Sequence, residues 1–325
     1  MIQRASSSPL PTMLRLAALV IVSAGSALAG CSAVDPSPFE DFAGATREIR
    51  QSADGVLEYD EGLSQERFLA RVEADDRADI GRTIKELMVN PSEVEGDDFG
   101  WRAENEPLLM KIRRFRYAVH ELNTVIVEYA TLLNELAGPT AVDDEEMQAF
   151  ATDLNGNVKS AAAALAMDVQ DEQLAVFSTI AAGLFQQYIN SRQRSHLAEA
   201  LQENQPWVVE VSRLGDAMAR NTARALWAEF GPIQSLFGTA MMEEPSGSAR
   251  RGLVEERMQL NEQFLDMLSA LRTLSAAYGK LPEAHRELAE GLETGSFNAG
   301  SIRQMYEYGK RLERLHEQLS EGEVE

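Results

Sequence analysis

The sequence predicts an all-α protein, an elongated antiparallel helical bundle with coiled-coil-like seams. Apolar residues recur at alternating steps of four and three over long stretches, the spacing of one helix face. Beyond residue 39, no stretch alternates apolar and polar residues as a half-buried strand would. The 22 Gly and 11 Pro include the breakers expected between the periodic segments. A hydrophobic fraction of 44% over 325 residues supplies a sizeable core and sets the chain apart from disordered sequences.

Met1 to Gly30 has the layout of a secretory signal. Arg4 and Arg15 give a positive flank, and Leu16 to Leu28 is an uncharged, mostly apolar run. As a helix this run rises about 20 Å, short of the ~30 Å hydrocarbon core, so it predicts a cleaved signal rather than a permanent span. It closes on Leu28-Ala29-Gly30-Cys31, and Cys31 is the single cysteine of the chain. One cysteine makes neither an internal disulfide nor a cysteine-rich zinc site. The ending resembles the lipobox of bacterial lipoproteins, in which a branched apolar residue and two small residues precede the modified cysteine. The resemblance covers only the first thirty or so residues. It implies that a type II signal peptidase recognises Leu28, Ala29 and Gly30 and cuts after Gly30. It further implies a diacylglyceryl group on the Cys31 thiol and an acyl chain, such as palmitate, on the new amino group. At ~0.8 kcal/mol per buried CH₂, two or three chains hold far better than one. Ser32, rather than Asp, follows the cysteine. By analogy with enterobacterial sorting, this implies the outer membrane, with the body facing the periplasm. Residues 31–38 are then a lipidated tether, and the stretch from Ser32 to Pro38 reaches at most ~25 Å.

The body follows. Residues 39–103 are expected to hold one or two short helices up to Val89 and then a loop over 90–103. Residues 104–325 are expected to form the long-helix bundle. Its clearest seam is Leu108, Ile112, Phe115, Val119, Leu122, Ile126, Tyr129, Leu133 and Leu136, which Gly138-Pro139 stops. Asp143 to Glu146 place acids in the first turn of the next helix, where they complement its dipole; Met147, Phe150, Leu154, Val158, Ala161 and Leu165 form its stripe. A further helix is expected from about Asp171 to Glu203. Pro206 then suits the first turn of its successor, and Pro232 kinks that successor near Gly231. Leu226, Phe230, Ile233, Phe237 and Ala240 form its seam, and Ser246-Gly247-Ser248 marks a connection. A second unbroken seam runs from Leu260 through Phe264, Met267, Leu271, Leu274 and Tyr278 to Leu281, with Pro282 expected to end the helix. Met305, Tyr308, Leu312, Leu315 and Leu319 stripe the tail.

Charge narrows the partners. The formal charge is −22, and −24 once residues 1–30 are removed, because 52 acids then face 28 bases. Such a surface repels phosphate backbones, so no nucleic-acid partner is expected. Metal binding is not expected either. Glu313 and His316 form one Glu-x-x-His pair, whereas a ferritin-like di-metal site needs two such pairs and two more carboxylates. His120, His196 and His285 have no Glu three residues before them. His285 lies between Glu283 and Glu287, and His196 lies beside Arg192 and Arg194, so both read as solvated. Gly-x-Ser-x-Gly, His-Glu-x-x-His and the Gly-rich nucleotide signatures are missing from the sequence. A lipidated Cys31 is no nucleophile. Trp101, Trp207 and Trp227 read as packing groups. The expectation is a non-enzyme without a cofactor.

The functional expectation is therefore a membrane-anchored structural or interaction module of the cell envelope, holding a protein partner or its own copies through helical surfaces. One segment supports an alternative. Gln173 to Ser191 carries no charge, and such long hairpins loosely resemble the membrane-inserting parts of α-helical pore-forming toxins. The reading preferred here is a buried central helix. A bundle that binds an apolar ligand is the third possibility.

Overall fold

The computed structural model describes residues 34–74, 108–138 and 194–321. Five helices and no strand occur among these residues: α1 Ser37–Ala74, α2 Leu108–Ala137, α3 Arg194–Glu243, α4 Gly247–Thr294 and α5 Gly300–Glu321. The stripes at 143–165 and 173–191, the loop at 90–103, and residues 1–33 lie outside the described residues.

Cross-helix contacts fix the directions. His120 meets Asp54 while Arg116 meets Glu58, so α1 and α2 are antiparallel. Gln205 meets His285 while Ser212 meets Tyr278, so α3 and α4 are antiparallel. Lys310 meets Glu48, and the His316 ring lies against Gly55, so α5 runs parallel to α1. Successive described helices thus alternate in direction, up and down, around one continuous core. α3 has 50 residues and α4 has 48; helices of that length reach ~70–75 Å, so the bundle is elongated.

The described residues of the seams read from the sequence are buried, except Leu260 and Tyr308, which are half-buried against the core. Val119, Leu122, Ile126, Tyr129, Leu133 and Leu136 on α2 join Phe264, Met267, Leu271, Leu274, Tyr278 and Leu281 on α4. Met305, Leu312, Leu315 and Leu319 on α5 complete that core. The caps follow local chemistry. The Ser246 side chain accepts from Ala249 N–H at the start of α4. Gly295 ends α4 at φ +79°, a conformation that costs glycine little, and its N–H bonds Gly291 O. The α5 start is held from another helix: the Glu287 carboxylate accepts from Ser301 N–H at 2.9 Å and from its hydroxyl.

Four expectations are corrected. The stretch after Phe39 is one 38-residue helix, at least to Ala74, rather than short pieces; Phe39, Phe42, Ile49, Ala53 and Val56 bury a continuous face of it. Residues 34–38, expected to belong to a tether, are not free chain: Val34 packs partly buried against the core and α1 begins at Ser37. α3 neither ends near Glu203 nor restarts at Pro206; it runs through both. α4 passes through Pro282. Proline lacks an N–H, so the carbonyl four residues back, that of Tyr278, loses its helical partner. The Ser212 hydroxyl of α3 donates to it at 2.7 Å and removes most of the penalty.

Candidate functional site

The residues expected to carry function, Leu28, Ala29, Gly30 and Cys31, lie outside the described residues, as do Trp101 and the segment Gln173 to Ser191. The first described residue after Cys31 in sequence is Val34, three positions on and packed against the core. Three residues of chain reach at most ~11 Å. The end of the bundle closest to Cys31 is therefore that of Phe39, which meets Phe297 edge-on at 6.1 Å, together with Gly295 at the α4 terminus. The α3–α4 turn at Pro245 and Ser246 lies at the opposite end.

A buried polar ladder crosses α2, α3 and α4. The Gln205 amide donates to Pro282 O at 3.0 Å, which turns its oxygen towards His285 Nδ1 at 2.8 Å. An amide oxygen only accepts, so Nδ1 carries the proton and Nε2 accepts from the Tyr129 hydroxyl at 2.8 Å. Trp207 covers the Tyr129 ring at 5.2 Å. About two helical turns away, the Tyr278 hydroxyl donates to Asn123 Oδ1 at 2.8 Å, and its ring lies flat against Gly215. Burial pushes both phenols above their ordinary values. It also pushes the His285 imidazole down to about 3.

The ladder corrects the solvated reading of His285, which is 0% exposed. Glu283 and Glu287 are its neighbours at two residues' distance, and residues two apart point to nearly opposite sides of a helix. Those carboxylates serve Ser301 and Lys280 instead. A neutral, enclosed imidazole with both nitrogens occupied has no free lone pair for a proton shuttle. What it can do is fix register, because a slip of one turn would leave several buried polar groups unpaired.

His285 also makes stability depend on pH. The unfolded chain binds its proton near pH 6.5, while the folded chain refuses it down to about 3. Between those values the unfolded state holds more protons, so stability falls as pH falls, by up to about 1.4 kcal/mol per unit from this group. Thermal melts from pH 7 to 4 should therefore show a shallower loss in His285→Gln than in the native chain. Equal slopes would contradict the assignment.

The other histidines are scattered. His120 Nδ1 is 3.1 Å from Asp54, itself beside Arg50. Glu313 pairs with Lys310 at 2.9 Å rather than sharing a ligand with His316. Lys310 also bonds Glu48, and these two contacts hold its ammonium above the ordinary lysine value while tying α5 to α1. Among the described residues, no group of three or more His, Cys, Asp or Glu could hold a metal ion. No described helix is long and apolar enough to cross a membrane.

Large apolar side chains lie open along the arm formed by the far parts of α3 and α4. Phe230 and Phe264 stack at 3.7 Å, and Trp227 meets Phe264 edge-on while remaining 58% exposed. Beyond that stack no residue from Gly247 to Gln263 is fully buried. Met242, Val254 and Met258 are exposed there, as is Leu265 just below. Sequence reading missed the arm because its seam looks as regular as the rest. The ladder left little signal: Asn123, Gln205 and Ser212 have polar neighbours in sequence and read as ordinary surface residues.

No protein-family model, no curated protein and no solved structure matches this chain.

Proposed function

We propose that the chain is a lipoprotein of the bacterial cell envelope, held to a membrane through lipid on Cys31. On this reading its helical bundle acts as a structural or protein-interaction module. The observation that carries the reading is the run Leu28-Ala29-Gly30-Cys31 at the end of an apolar leader, three positions before the first residue packed on the core. A tether this short holds the Phe39 end of the bundle at the bilayer and sends the α3–α4 turn away from it. The distance from Gly291 to Gly247 along α4 is ~66 Å at helical rise. With 52 acids in the chain, the body is repelled by anionic headgroups, which favours an upright stance. The exposed apolar residues of the arm support a contact with protein at a distance from the anchor. Ser32 favours the outer membrane, with the body in the periplasm.

The test is Cys31→Ala in the full precursor. Unprocessed precursor, loss of fatty-acid labelling and loss of stable membrane retention are expected, with a folded body of unchanged helicity. Normal processing and labelling of that variant would overturn the reading. Crosslinking from intact envelopes then identifies what the arm touches.

A further inference from the structure

We infer that the bundle encloses a single structural water where α1, α2, α4 and α5 meet. The site is a cavity of about 10 Å³, and an internal space of roughly 10–15 Å³ accepts one water. Its walls include Thr46 and Ile49 of α1, Asn123 of α2, Tyr278 and Leu281 of α4, and Met305 of α5. Each of these six is at most 4% exposed, so the site lies among buried side chains.

A polar group sets it apart from a packing void. Asn123 is 2% exposed and accepts the Tyr278 proton through Oδ1, yet its buried Nδ2 has no protein acceptor. An unpaired buried amide N–H bears an uncompensated desolvation cost, whereas a bridging water restores most of a hydrogen bond. The complementary groups line the same cavity. Thr46 spends its hydroxyl proton on Ala43 O at 3.0 Å and so offers only lone pairs. The Tyr278 oxygen, having donated to Asn123, likewise has a lone pair left. The water accepts from Asn123 Nδ2 and donates to Thr46 Oγ1 and the Tyr278 oxygen, which gives it the three partners usual for an internal water. It thereby links α1, α2 and α4. An apolar wall of Ile49, Leu281 and Met305 excludes a larger or charged ligand.

The experiment is a crystal structure of the mature chain at a resolution that shows ordered waters, paired with water-to-amide magnetisation transfer in solution. Expected is one spherical peak at 2.7–3.2 Å from Asn123 Nδ2 and within hydrogen-bond reach of Thr46 Oγ1. A long-lived water cross-peak to the Asn123 side-chain amide, retained in Tyr278→Phe, is expected with it. A cavity without density beside an Asn123 amide that shows no water cross-peak would overturn the inference. So would a rotated Asn123 whose Nδ2 bonds a protein acceptor.

Discussion

Ile126→Asp is expected to destabilise the body by about 4 kcal/mol, because it places a carboxylate in the interior with no cation among the described residues lining the space beside it. Ile126 is 6% exposed and packs in the core that α2 shares with α4. The cavity beside it has Thr46, Asn123 and Tyr278 as its polar lining and offers no charge partner. For a domain of this size the loss corresponds to a fall in melting temperature of about 10 °C. Glu128→Ala is the control. Residue 128 lies two positions on, on the exposed side of the same helix, and its replacement should cost less than ~0.5 kcal/mol. Thermal unfolding of the two variants side by side decides the matter; equal melting temperatures would mean that the buried face of α2 is misassigned.

Gly215→Ala should cost about 3 kcal/mol, although alanine is ordinarily the better helix former. A Cβ at residue 215 would stand 2.5 Å from the Tyr278 ring. The residue is held in place, since its hydroxyl is tied to Asn123 and its backbone carbonyl to Ser212. The sign should reverse when the ring is removed. In a Tyr278→Val background, Gly215→Ala should be neutral or stabilising by up to ~1 kcal/mol, the ordinary helix-propensity gain. Denaturant unfolding of the four proteins forms a double-mutant cycle. A similar cost in both backgrounds would show that the close approach of α3 to α4 is not what requires glycine.

Sequence pattern and tertiary partnership divide the molecule between them. The seams on α2, α4 and α5 were legible because a buried stripe on a long helix must repeat at steps of three and four, whatever it packs against. The α2 stop at Gly138 and the α4 start at Ser246 were legible because capping is local chemistry, settled within a few residues. The leader proposed at Cys31 likewise rests on one contiguous run of sequence, and it lies outside the described residues. Proline at 282 misled because the rule that proline ends a helix assumes that the freed carbonyl stays unpaired. Here Ser212, on another helix, pairs it. The same limit applied to His285, whose sequence neighbours are acids and whose spatial neighbours are Tyr129 and Gln205. The sequence by itself thus determined that the described chain is helical, which faces it buries and where several helices begin and end, since those follow from periodicity and local hydrogen bonding. Only the tertiary structure decided which prolines are tolerated, which polar residues are interior and how closely two helices approach, because each depends on a partner that is distant in sequence.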